Sequence, residues 1–134
     1  PSEYPYMSVC TTSTHDMSPL RAWWEEEDRG LIQKYYSEVL GRGGEAPKEC
    51  TPEICEQIIA QHLASPAMFT ILPLQDWLGM DAELRFKDPA EERINVPAIC
   101  PYYWRYRMHL TLENLLSQKA FNDKVKKMVE DSGR

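Results

Sequence analysis

"MFTIL", Met68 to Leu72, is an unbroken apolar run bounded by Pro66 and Pro73. Its length suits a strand. Continuous rather than alternating hydrophobicity fits a strand covered on both faces, as in parallel sheets. One other stretch reads as a strand, "YPYMSVC" from Tyr4 to Cys10, on its aromatic and β-branched content. Two short strands cannot make a stable parallel sheet, because each needs neighbours and covered faces. The chain therefore reads as a piece of a larger α/β fold.

The segments between and after these strands are helical in pattern. Ser18 and Pro19 form a cap-then-proline start. Leu20, Trp24, Leu31, Tyr35 and Val39 then follow one face, with Trp23, Ile32 and Tyr36 beside them. This predicts one helix, weakened at Gly30 and stopped at Gly41, with Trp23 and Trp24 in the core. Thr51 and Pro52 repeat the start signal, and Ile54, Ile58, Ile59 and Leu63 give the second helix its apolar face. His62 lies near that face and reads as a packing residue. "LQDWLGM" predicts a short helical turn in which Asp76 acts as a cap. Residues 81–108 read as irregular, a length usually reserved for functional loops. Thr111 starts a last helix through Leu112, Leu115, Leu116, Phe121, Val125 and Met128. The fold class is α/β and mostly helical, with residues 1–134 as one unit.

Composition narrows the function. A net charge of −6 argues against a nucleic-acid partner, since phosphate binding is driven by Lys and Arg. No apolar run approaches the roughly 20 residues of a membrane span. The first residues carry no signal-peptide pattern, so the expectation is a cytoplasmic protein. Cys10, Cys50, Cys55 and Cys100 lack the spacing of a zinc site and are expected as buried or half-buried thiols rather than disulfides. No metal or cofactor is expected.

One stretch carries chemistry. "SVCTTSTHDMSPLRAWW" places His15 and Asp16 between the first strand and the first helix. In parallel α/β folds reactive residues sit at the C-terminal ends of strands. The same position lies beside the positive end of a helix dipole, which favours an ionised Asp16. Position alone leaves two roles open for Asp16, helping to cap the helix or serving a site.

"STHDMSPLRAWWEE" resembles the His-Asp motif of the 4-α-glucanotransferases of glycoside hydrolase family 77. "TPEICEQIIAQHLASPAMFTILPLQDWLGM", "ERINVPAICPYYWRYRM" and "TLENLL" resemble the same family in the same order. The likeness covers nearly the whole chain and is nearest to the family's long form. Met17 stands where shorter members usually carry Asn, and Ala22 where Gly is usual.

The resemblance implies the C-terminal quarter of a (β/α)8 barrel, its last two β/α units, with the rest of the barrel and starch-binding modules upstream. It implies a retaining transfer of glucosyl or short α-1,4-glucan units among maltooligosaccharides. Asp16 maps onto the carboxylate that stabilises the transition state, His15 onto a hydroxyl-binding partner, and Asn95 onto a position near the sugar. Trp104 could stack on a sugar, although loop anchoring, with salt bridges from Arg105 and Arg107, is favoured for that stretch. No stretch matches the family's nucleophile or acid/base, so the isolated chain is expected to be inactive. With open edges and faces it is also expected to self-associate. The competing expectation is a non-catalytic helical interaction module.

Overall fold

A computed structural model describes residues 1–134. Two strands, β1 (Val9–Cys10) and β2 (Phe69–Thr70), pair in parallel, Val9 opposite Phe69 and Cys10 opposite Thr70. Flanking hydrogen bonds lengthen the ladder. Met68 N donates to Tyr6 O at 2.8 Å, and Ile71 N donates to Cys10 O at 2.9 Å. The strands are shorter than the apolar runs predict. The expectation that β2 is covered on both faces fails too: Phe69 and Ile71 are 57% and 62% exposed. β2 has one neighbour in this chain, and no layer lies over its outer face.

Six α-helices accompany the strand pair: α1 (Leu20–Glu26), α2 (Arg29–Lys34), α3 (Pro52–Leu63), α4 (Leu74–Leu78), α5 (Leu112–Ser117) and α6 (Lys119–Asp131). The single helix expected after Pro19 is broken. α1 ends at the extended residue Glu27, and Asp28 starts α2 by accepting from Gly30 N at 2.9 Å and Leu31 N at 3.1 Å. Gly30 makes room for that cap, since a Cβ there would sit 3.0 Å from Asp28 Oδ1. The break shifts the helical phase. Ile32 becomes fully buried while Leu31 and Val39, expected on the apolar face, are exposed. α2 runs into a wider π turn over Tyr35–Val39, in which Leu40 N donates to Tyr35 O at 3.0 Å. Gly41 then takes a φ of +66°, the left-handed stop that its sequence position predicts.

The core forms where α1, α2, α3 and α4 meet. Trp24, Ile32, Ile54, Ile58, Ile59 and Leu78 are fully buried, each worth roughly 1.5–3 kcal/mol relative to exposure. Trp24 donates its indole N–H to Pro47 O at 3.0 Å. Trp23 sits half-buried at the rim, edge-on to Tyr35 with centroids 5.6 Å apart. Thr51 caps α3 as predicted, accepting from Ile54 N. His62 packs as expected: it is buried, with Nδ1 2.7 Å from Ile58 O, and burial pushes its pKa down.

Residues 81–108 are irregular apart from one 3-10 turn at Pro89–Glu92. The last helix is again two. Gln118 leaves helical geometry, and Leu115 O accepts both the Gln118 backbone N–H at 3.2 Å and the Asn122 side-chain amide at 2.9 Å. Phe121 is buried, whereas Leu112 and Leu116 face outward.

Cys10, Cys50 and Cys55 are buried free thiols, with Cys50 and Cys55 sulfurs 3.4 Å apart. Cys100 is exposed, contrary to expectation, because it lies in the irregular segment with nothing packed over it. No helix is long and apolar enough to cross a membrane.

Candidate active site

The loop from Thr11 to Pro19 joins β1 to α1 and carries His15 and Asp16. A tight turn forms at its tip, where Met17 N donates to Thr14 O at 3.1 Å. Ser18 was the expected cap of α1, but its hydroxyl instead donates to Glu26 Oε2 at 2.6 Å and accepts from Arg93 Nη1 at 2.7 Å. The first N–H of α1, that of Leu20, is taken by Asp76 Oδ1 at 2.9 Å. Asp76 belongs to α4. It does cap a helix start, though not in its own turn: the bond spans 56 residues.

The second oxygen of Asp76 accepts from the Thr12 hydroxyl and, at 3.0 Å, from the Ser13 hydroxyl. Asp76 is buried, and burial raises its pKa even against these three donors. The neighbouring Gln75 amide donates to Glu92 O at 3.2 Å, holding the start of the segment that leads to Asn95. Glu92 itself is buried against Arg21, whose Nη1 also donates to Phe86 O at 2.9 Å. Burial pushes the Glu92 carboxyl up to about 7, with Arg21 pulling the other way. Arg93 then bridges, donating from Nε to Asn95 O at 3.1 Å while its Nη1 lies 3.6 Å from Glu26.

The four residues singled out in the sequence come together. Asn95 Nδ2 donates to Asp16 Oδ1 at 2.6 Å, and Asn95 N donates to His15 O at 3.1 Å. His15 Nε2 lies 3.3 Å from Asp16 Oδ2, and the Trp104 ring lies against His15 with centroids 4.9 Å apart. His15 and Asp16 are each about half exposed. An accessible carboxylate, an imidazole and an amide with an aromatic beside them suit a ligand rich in hydroxyl groups, because the carboxylate accepts and the amide does both. The salt bridges expected of Arg105 and Arg107 do not form. Arg105 lies 5.3 Å over the Tyr103 ring, and Arg107 donates to the backbone oxygen of Tyr106 at 3.2 Å. No acidic side chain comes within ion-pair distance of either in this open segment.

Sequence reasoning missed Gln75, Glu92, Arg21 and Arg93 as supports of the site. Apart from the Arg93 bond to Asn95 O, their partners lie well removed in the chain, and periodicity carries no sign of such pairings.

The family model described as 4-alpha-glucanotransferase, of glycoside hydrolase family 77, matches residues 1–112. Among curated relatives, 4-alpha-glucanotransferase DPE2 of Oryza sativa subsp. japonica is 45% identical over 134 residues, all of this chain and 14% of the relative. The 4-alpha-glucanotransferase of Aquifex aeolicus is 34% identical over 130 residues, 95% of this chain and 22% of the relative. Among solved structures, an amylomaltase from Streptococcus agalactiae in complex with acarbose matches with a TM-score of 0.69 and 24% identity, covering 100% of this chain and 23% of that one. That likeness is one of fold. The chain spans less than a quarter of the length of each of these proteins. By the match over residues 1–112, the chain belongs to glycoside hydrolase family 77, the 4-alpha-glucanotransferases.

Proposed function

We propose that this chain is the C-terminal part of a (β/α)8 barrel, its last two β/α units, within a 4-alpha-glucanotransferase. The whole enzyme moves glucosyl or short α-1,4-glucan units from maltose or maltooligosaccharide donors to glucan or glucose acceptors by a retaining double displacement. The observation that carries the reading is the convergence of Asp16, His15, Asn95 and Trp104 at the end of β1 that leads into α1. Asp16 is the transition-state carboxylate. Placed beside the anomeric carbon, its charge stabilises an oxocarbenium-like centre that exists mainly on the way over the barrier. The Asn95 amide holds one carboxylate oxygen and fixes its direction. His15 supplies a hydrogen bond to a ring hydroxyl, and Trp104 offers an apolar surface to a sugar face. The fold likeness to an amylomaltase solved with acarbose supports the substrate class.

A retaining displacement needs a nucleophile and a proton donor roughly 5 Å apart. Neither belongs to this chain, so the isolated chain transfers nothing. Its exposed Val9, Phe69 and Ile71 drive self-association when the rest of the barrel is missing. A cytoplasmic location is part of the same proposal.

The test is Asp16→Asn in the full-length protein. The amide is nearly isosteric, so folding is retained while kcat falls on the order of 100-fold or more. A variant with unchanged melting and near-normal kcat would reduce Asp16 to a loop residue.

A further inference from the structure

Asp76 does more than close the start of a helix. A cap needs one oxygen on one or two N–H groups, and Asp76 Oδ1 does that for Leu20. Its other oxygen binds the hydroxyls of Thr12 and Ser13, on the opposite side of the same loop. The loop is thereby pinned before and after residues 14–19, the span that holds His15 and Asp16. No cation lies within ion-pair distance of this buried carboxylate; its three donors are all neutral.

We infer that Asp76 is a positioning residue for the transfer reaction, clamping both ends of the β1–α1 loop so that the half-exposed Asp16 meets the Asn95 amide in one fixed direction. The inference rests on the proposed role of Asp16. Without the clamp, the turn that carries Asp16 keeps only its contacts with Asn95 and the Ser18 bonds to Glu26 and Arg93, and a misplacement of about 1 Å at a reacting centre costs on the order of 100-fold in rate. An amide is a poorer clamp at Asp76. With its oxygen kept on the Leu20 N–H, its NH2 group meets the Thr12 and Ser13 hydroxyls, which must turn from donating to accepting and give up their present directions.

The test uses the full-length protein with maltotriose as donor and glucose as acceptor. Asp76→Asn lowers kcat about 10- to 100-fold with KM within about twofold, because the acid's aim is lost and the remaining sugar contacts stay. Should that variant fail to fold, Thr12→Val and Thr12→Ser carry the test. Valine keeps the shape and loses the hydroxyl, so kcat falls about 5- to 10-fold; serine keeps the hydroxyl and restores near-normal kcat. A folded Asp76→Asn protein, or a Thr12→Val protein, with normal kcat overturns the inference, provided Asp16→Asn is severely impaired beside it. If Asp16→Asn itself keeps its kcat, the underlying role of Asp16 has failed, whatever the α4 variants do.

Discussion

The apolar core around α3 and the polar corner around α4 are built by opposite means. In the core, Ile54, Ile58, Ile59 and Leu63 act through a face that repeats along a single helix. In the corner, the main supports reach far along the chain: Asp76 to Leu20 over 56 residues, Arg21 to Glu92 over 71, Asn95 to Asp16 over 79. The core gains its free energy from non-directional burial, so many sequences of similar volume would serve. The corner depends on matched donors and acceptors, and at its buried members, Asp76 and Glu92, losing one partner strands the other away from water. Stability is therefore concentrated in one region, and aim in the other.

Crossed substitutions give the largest effects and test this division directly. Asp16→Asn in the full-length protein should lose on the order of 100-fold in kcat with an unchanged melting temperature. Ile58→Ala should do the reverse, costing about 2–5 kcal/mol in urea unfolding while the folded fraction keeps its kcat. A large stability loss from the first, or a kcat loss from the second, would break the comparison.

Next comes the buried pair at the edge of the corner. The Glu92 carboxyl is raised from 4.5 to about 7 in the folded chain. Between those values the folded state holds a proton that the unfolded state has released. Stability from this group is present at low pH and is lost as pH rises from about 4.5 to about 7. Urea midpoints should fall across that window, and Glu92→Gln should flatten the slope. A midpoint that rises with pH in the parent would show that Arg21 outweighs burial.

Two adjacent residues of α2 give a contrast within the core itself. Ile32→Ala should cost about 2–5 kcal/mol and Leu31→Ala within about 0.5 kcal/mol, because one is enclosed and the other exposed. Equal costs would restore the unbroken helix. At the bottom of the scale, Lys119→Ala should change stability by roughly 0.5 kcal/mol or less, since its pairing with Asp123 is solvent-exposed.

What could be read in the sequence follows the same division. Thr51 and Gly41 act within a few residues of themselves, and their roles as cap and stop were legible. The Asp16 loop was legible as a strand-to-helix junction, and Asn95 as a neighbour through its family motif. Ser18 misled because a carboxylate from α4 takes the N–H it was expected to hold, which frees its hydroxyl for Glu26 and Arg93. The breaks at Asp28 and Gln118 were hidden for a related reason. Apolar spacing continues across both, while local side-chain hydrogen bonds end one helix and begin another.

The four cysteines give these two regions separate clocks. Cys100 is open to solvent, so a maleimide reaches it at once, whereas the other three thiols react only when the structure around them opens. Cys10 ends the strand that feeds the Asp16 loop, and Cys50 and Cys55 lie inside the apolar cluster. The lag before each thiol takes up reagent times the breathing of its own neighbourhood. One labelling experiment, read cysteine by cysteine, ranks how often the corner that aims and the core that holds come apart.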